Sequence, residues 1–135
     1  VMKHANTYGI IRTLLGRKCR FELWEPSWFD TKYYKPLPHD DAFKEYSGNI
    51  KRYGTYKALN RLIQGSAADQ TKKAMVDVYE KLGVTPLIQV HDELNCSVKS
   101  DKDAQEIKKI MENCIPLEVP SKVEYKIKDN WGDAK

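Results

Sequence analysis

Apolar residues recur along this chain in two rhythms, one helical and one alternating. Leu59, Leu62, Ile63, Met75, Val78, Tyr79 and Leu82 fall at helical spacing before Gly83, which predicts a long helix over 56–82 with these residues on its buried side. A second helix is predicted to start at Ser100, an N-cap with Asp103 three positions on, and to present Ala104, Ile107, Met111 and Cys114 inward before Pro116. Alternation marks residues 10–26, "IIRTLLGRKCRFELWEP", as a hairpin turning at Leu15 and Gly16. It also marks 119–128, "VPSKVEYKIK", as a half-buried strand with Val119, Val123, Tyr125 and Ile127 inward. The opening "VMKHANTYG" reads as the last turns of a helix capped by Gly9.

Between about 25 and 55 both rhythms fail. Pro26, Pro36, Pro38, Gly48 and Gly54 punctuate a Tyr- and Lys-rich stretch that predicts a long irregular surface excursion. Its Tyr33, Tyr34, Tyr46 and Tyr53 could pack the loop onto the domain or stack on unpaired bases. The order hairpin, long helix, hairpin, helix, strand predicts an α+β fold, an antiparallel sheet with two helices packed on one face, in a single domain over 1–135.

Composition sharpens this only a little. With 135 residues, 41% of them hydrophobic, the chain can bury one modest core. An excess of 23 Lys+Arg over 19 Asp+Glu gives +4, a mild pull toward a polyanion. Cys19, Cys96 and Cys114 form no C-x-x-C pair, so neither a disulfide framework nor a zinc ribbon is indicated, and a reducing cytoplasmic setting is expected. No apolar run approaches the roughly 20 residues of a membrane span, so no membrane partner is expected.

Two features carry candidate chemistry. In "LIQVHDELNCSV", 87–98, His91, Asp92 and Glu93 stand between two strand-like runs. Asp92 serves there either as a favourable turn residue or as a carboxylate held at the exposed end of a sheet, where oxygen ligands for Mg²⁺ belong. On the long helix, Lys57, Asn60, Gln64 and Thr71 share one polar stripe. The minor groove offers base acceptors at every pair, so amides such as Asn60 and Gln64 could hold a duplex of any sequence; a solvated helix face explains the same spacing. Arg12, Arg17, Lys18 and Arg20 on the first hairpin admit a phosphate contact or simple solvation.

"ALNRLIQGSAADQTKKAM" followed by "LIQVHDEL" resembles the paired signature of family A DNA polymerases, the DNA polymerase I group, in its phage-type form. "GIIRTLLGRKCRF" is similar to the hairpin after that family's fingers helices, which makes 1–9 the end of a fingers helix; "IMENCIPLEVPSKVE" and "NWGDAK" resemble the helix, strand and tail after the catalytic turn. The segment from 25 to about 49 matches least and reads as a longer insertion.

The resemblance implies template-directed DNA synthesis, with primer-template DNA and dNTP as partners, in a bacterial or phage-infected cell. It implies that Asp92 is the palm carboxylate that binds the catalytic Mg²⁺ pair, that Glu93 is its less essential acidic neighbour and tunes that site, and that His91 lies beside the primer terminus. Asn60 and Gln64 match residues that contact the duplex near the new pair. One departure stands out: where the bacterial enzymes resemble one another in carrying Arg, this chain has Tyr56, and Lys57 or Arg52 is expected to substitute. The family's second metal-binding aspartate, in a segment resembling "DYSQIELR", is absent from these residues, as is its nucleotide-binding fingers helix. The expectation is the carboxyl-terminal palm segment of a polymerase, inactive without the remaining segment. The alternatives are a separate subunit of a split polymerase and a non-catalytic DNA-binding module.

Overall fold

A computed structural model describes residues 1–28 and 34–134, in two compact units, Val1–Ser66 and Ala67–Lys135. Helices and small antiparallel sheets mix throughout, as an α+β fold requires.

The first unit opens with α1 (Met2–Tyr8), closed by Gly9 in the left-handed conformation with its N–H on the Ala5 carbonyl at 2.9 Å. β1 (Ile10–Arg12) and β2 (Lys18–Arg20) then pair antiparallel, Ile11 opposite Cys19. Ala5, Ile11, Phe21 and Ala58 form the core, with Cys19 and Leu62 packed against it. Ala58 opens the 25-residue helix α3 (Ala58–Leu82), which follows a 3-10 turn over Thr55–Lys57, so the long helix stands where periodicity placed it.

The stretch from 25 to 55 is more regular than its sequence suggests. β3 (Leu23–Pro26) lies between β4 (Leu37–Pro38) and β5 (Ile50–Arg52) in a three-stranded sheet, and α2 (His39–Glu45) joins the last two. The prolines fit because Pro26 is the final residue of the central strand and Pro38 lies on an edge. Tyr46 is buried, its hydroxyl donating to the Lys35 carbonyl at 2.9 Å, so it serves packing. Tyr33 lies outside the described residues.

The second unit contains the rest of α3, the hairpin β6 (Pro86–Val90) and β7 (Glu93–Cys96), α4 (Asp101–Asn113) and the short α5 (Trp131–Ala134). α4 begins with the predicted capping box: Asp103 N–H donates to Ser100 Oγ at 3.3 Å and Ser100 N–H to Asp103 Oδ2 at 3.1 Å. Ala104 and Ile107 are buried, as their spacing requires.

Two expectations fail. The buried residues of α3 do not form one stripe: Leu59, Ile63 and Tyr79 are exposed by 55–60%, whereas Ala58, Thr71, Ala74, Asp77 and Val78 are buried. Ala58 and Leu62 recur at helical spacing in the first half, and Thr71, Ala74 and Val78 in the second. The apolar spacing of α3 alone therefore does not mark its buried positions, which include the polar Asp69, Thr71 and Asp77. The second failure is the strand over 119–128, which belongs to no ladder among the described residues. Side chains hold it instead: Val123 N–H donates to Glu112 Oε1 at 2.9 Å, Gln70 Nε2 to Ser121 Oγ at 2.9 Å, and Tyr125 hydroxyl to Asp101 Oδ1 at 3.0 Å. The alternation over 119–128 meets no neighbouring strand among the described residues.

Candidate active site

Strand register builds the turn. Val90 pairs with Glu93, leaving His91 and Asp92 as a two-residue hairpin loop. His91 occupies positive φ, at 52°, a conformation costly for a residue with a Cβ and one that recurs at functional sites. Two neighbours brace the loop: the Gln89 side-chain amide donates to the His91 carbonyl, and Asn95 Nδ2 donates to Glu93 Oε1 at 3.1 Å. Neither brace was anticipated, although strand alternation places Glu93 and Asn95 on one face.

His91, Asp92 and Glu93 are all exposed. Among the described residues no side chain hydrogen-bonds to or ion-pairs with the Asp92 carboxylate. A hard oxygen donor is therefore held at a hairpin tip with its lone pairs available, which suits Mg²⁺. Among the described residues, no three His, Cys, Asp or Glu side chains converge as a metal-binding group. The turn itself offers the Asp92 carboxylate, with that of Glu93 next to it in sequence, to a cation.

The helix candidates divide. Asn60 and Gln64 are exposed one turn apart at the start of α3, and Lys57 Nζ lies 5.4 Å from the Tyr56 ring centroid. Thr71 leaves the stripe: it is buried, and its hydroxyl donates to the Ala67 carbonyl at 3.2 Å. Arg52 is engaged within its own unit, donating from Nε to the Asn6 carbonyl and from Nη1 to the Phe21 carbonyl, both at 3.0 Å, and lying 4.4 Å over Trp24. On the first hairpin, Arg17 Nη2 donates to the Gly65 carbonyl at 2.8 Å, while Arg12, Lys18 and Arg20 remain exposed.

Comparison with known sequences matches residues 1–133 to DNA polymerase family A. The chain belongs to DNA polymerase family A. It is 44% identical over 128 residues to the DNA-directed DNA polymerase of Pseudomonas phage M6, covering 95% of this chain and 16% of that protein. It is 35% identical over 142 residues to DNA polymerase I of Caldicellulosiruptor bescii, and 42% identical over 140 to the thermostable DNA polymerase I of Thermus filiformis. Each covers 99% of this chain and 14% of the relative, so this polymerase-family chain spans about a sixth or less of the length of these relatives. No helix among the described residues is long and apolar enough to cross a membrane.

Proposed function

We propose that this chain is the carboxyl-terminal palm segment of a DNA-directed DNA polymerase and contributes one half of its nucleotidyl-transfer site. The observation that carries the reading is the available Asp92 carboxylate on a braced two-residue turn, in a chain that belongs to DNA polymerase family A over 1–133.

Asp92, with Glu93 beside it, would hold Mg²⁺, which when bound supplies charge stabilisation for the attacking 3′ oxygen and the leaving pyrophosphate. Each role of the protein follows from position. The short loop fixes Asp92 so that its oxygens need little reorganisation. Asn95 orients Glu93, whose second oxygen stays free to shape the field at the turn. His91, on the same turn, offers a ring to the primer end. Asn60 and Gln64 donate amide hydrogens to minor-groove acceptors that every base pair presents, which grips a duplex without reading its sequence. Lys57 adds a cation near the backbone. The second carboxylate and the dNTP-binding helix come from polymerase residues outside this sequence, in the same polypeptide or in a separate subunit.

Asp92→Asn in the polymerase that carries this chain tests the assignment. The change keeps shape and removes the charge, so primer extension should fall by several orders of magnitude while duplex affinity stays near wild type. Undiminished extension would favour a non-catalytic DNA-binding module.

A further inference from the structure

Three aromatic rings meet in the first unit and take no part in the site described above. Trp28, Tyr34 and Tyr46 have ring centroids 5.8, 6.1 and 5.6 Å apart, and each pair of planes stands at 83–89°. Tyr46 is buried and its hydroxyl is tied to the Lys35 carbonyl, so its ring is fixed. Trp28 and Tyr34 differ, because they remain 39% and 44% exposed. Three nearly perpendicular rings at nearly equal spacing can bound a corner, and a point squarely before all three faces lies about 4 Å from each centroid. That is well inside the roughly 6 Å over which an aromatic face attracts a cation.

The charge around the rings favours the same kind of ligand. Asp41 and Glu45 lie one turn apart on α2, just before Tyr46, and both are exposed. Among the described residues neither ion-pairs nor hydrogen-bonds with another side chain, whereas Asp40 already meets His39 Nδ1 at 2.9 Å. Over 34–48 three carboxylates stand against Lys35 and Lys44, in a chain that carries +4 as a whole. This stretch therefore repels phosphate relative to the rest of the chain and attracts a cation.

The geometry points to a binding site for a protonated alkylamine, with its ammonium head before the rings of Trp28, Tyr34 and Tyr46 and its further charge drawn to Asp41 and Glu45. The rings supply the selectivity. An organic ammonium gives up water readily enough to sit on an aromatic face, whereas Mg²⁺ dehydrates reluctantly and favours the carboxylates alone. The assignment is independent of the reading of Asp92 and falls in the segment, 25 to about 49, that matches the polymerase family least. Two sources carry this head: a free polyamine and a lysine of a partner polypeptide.

The test uses the full polymerase carrying this chain, labelled with 5-fluorotryptophan, with the Trp28 signal identified by its loss in Trp28→Phe. Fluorine NMR follows that signal during titration with spermidine, with a glycine-spaced peptide of three lysines, and with Mg²⁺ at matched ionic strength. Spermidine or the peptide should shift the signal saturably, and Mg²⁺ should not. Whichever half-saturates at the lower concentration identifies the source. Tyr34→Leu should raise the half-saturating concentration roughly tenfold, and Tyr34→Phe, which keeps the ring, should stay near wild type. Asp41→Asn combined with Glu45→Gln should raise it about threefold and leave the site recognisable. Edge-to-face packing of the rings, with no ligand, gives the same angles and predicts no shift with either amine, which would overturn the assignment. An equal shift with Mg²⁺ overturns it as well, because carboxylates alone would then account for the binding. So does equal damage from Tyr34→Leu and Tyr34→Phe.

Discussion

A Cβ placed on Gly65 would lie 2.7 Å from Cγ2 of Thr13, closer than real side chains approach one another. The first hairpin is fastened at this point of α3: Leu14 N–H donates to Ser66 Oγ at 3.0 Å, and Arg17 reaches the Gly65 carbonyl. Thr13 is buried and β-branched, so it has little freedom to yield. Gly65→Ala gains about 1 kcal/mol of helix propensity and loses about 1–3 kcal/mol to overpacking. Hydrogen exchange at the Leu14 amide should accelerate several-fold, measured by mass spectrometry on the polymerase carrying the change. Unchanged protection would mean the hairpin is held elsewhere.

Glu93→Gln separates the two acidic residues of the turn. It retains a group that Asn95 can bond and removes a charge beside Asp92, so kcat for primer extension should fall far less than in Asp92→Asn. Asn95→Ala should produce a smaller loss of the same kind, because it frees Glu93 without neutralising it. Equal losses at positions 92 and 93 would assign both carboxylates to the metal.

Asn60→Ala and Gln64→Ala should each weaken duplex binding by about 1 kcal/mol, roughly five- to tenfold, with little preference for the sequence of the duplex. Competition binding with A·T-rich and G·C-rich duplexes measures both points. A strong base preference in the loss would contradict sequence-tolerant contacts.

Acid sensitivity should centre on Asp77. The hydrogen bond from Lys73 holds its carboxyl below the ordinary carboxylate value, with attraction to Lys73 and Lys81 assisting against the opposing effect of burial. A lowered folded value means that the contribution to stability is present above the usual carboxylate range and disappears as pH falls through the folded value. The bond to Asp77 raises Lys73 above its usual value, so its contribution holds at neutral pH and fades only as strong alkali passes the folded value. Asp77→Asn should lower the thermal midpoint at pH 7 and shrink the difference between pH 7 and acid, read by differential scanning calorimetry. An identical acid slope in the variant would place the sensitivity in other carboxylates.

Ser100→Ala removes the acceptor for the Asp103 amide at the start of α4 and should cost about 1 kcal/mol. Ser100→Asp, which restores an acceptor, should recover most of it in the same unfolding measurement.

Local signals made much of this molecule legible. The capping box at Ser100 and Asp103, the turn at His91 and Asp92, and the Gly9 cap each depend on residues a few positions apart. The sheet around β3 was hidden because Trp24 meets Arg52, and Glu25 meets Lys51, across long sequence separations, in strands too short to show a period. Residues 119–128 misled for the converse reason: their alternation is genuine, but a strand also requires a neighbour. On α3, Asn60 and Gln64 are exposed, as a polar stripe requires, whereas Thr71 of the same stripe is buried. The role of Arg52 depended on Asn6 and Phe21 carbonyls that no linear pattern brings together.

The unladdered stretch also has a consequence for handling the protein. Val119, Tyr125 and Ile127 are exposed by 76%, 41% and 46% beside backbone groups that no strand pairs among the described residues. An exposed, alternating segment whose backbone no strand pairs is a template for the same segment of another molecule. Produced on its own, this chain should self-associate in a concentration-dependent manner, and a charged or proline substitution at Val119 should be the simplest way to keep it in solution.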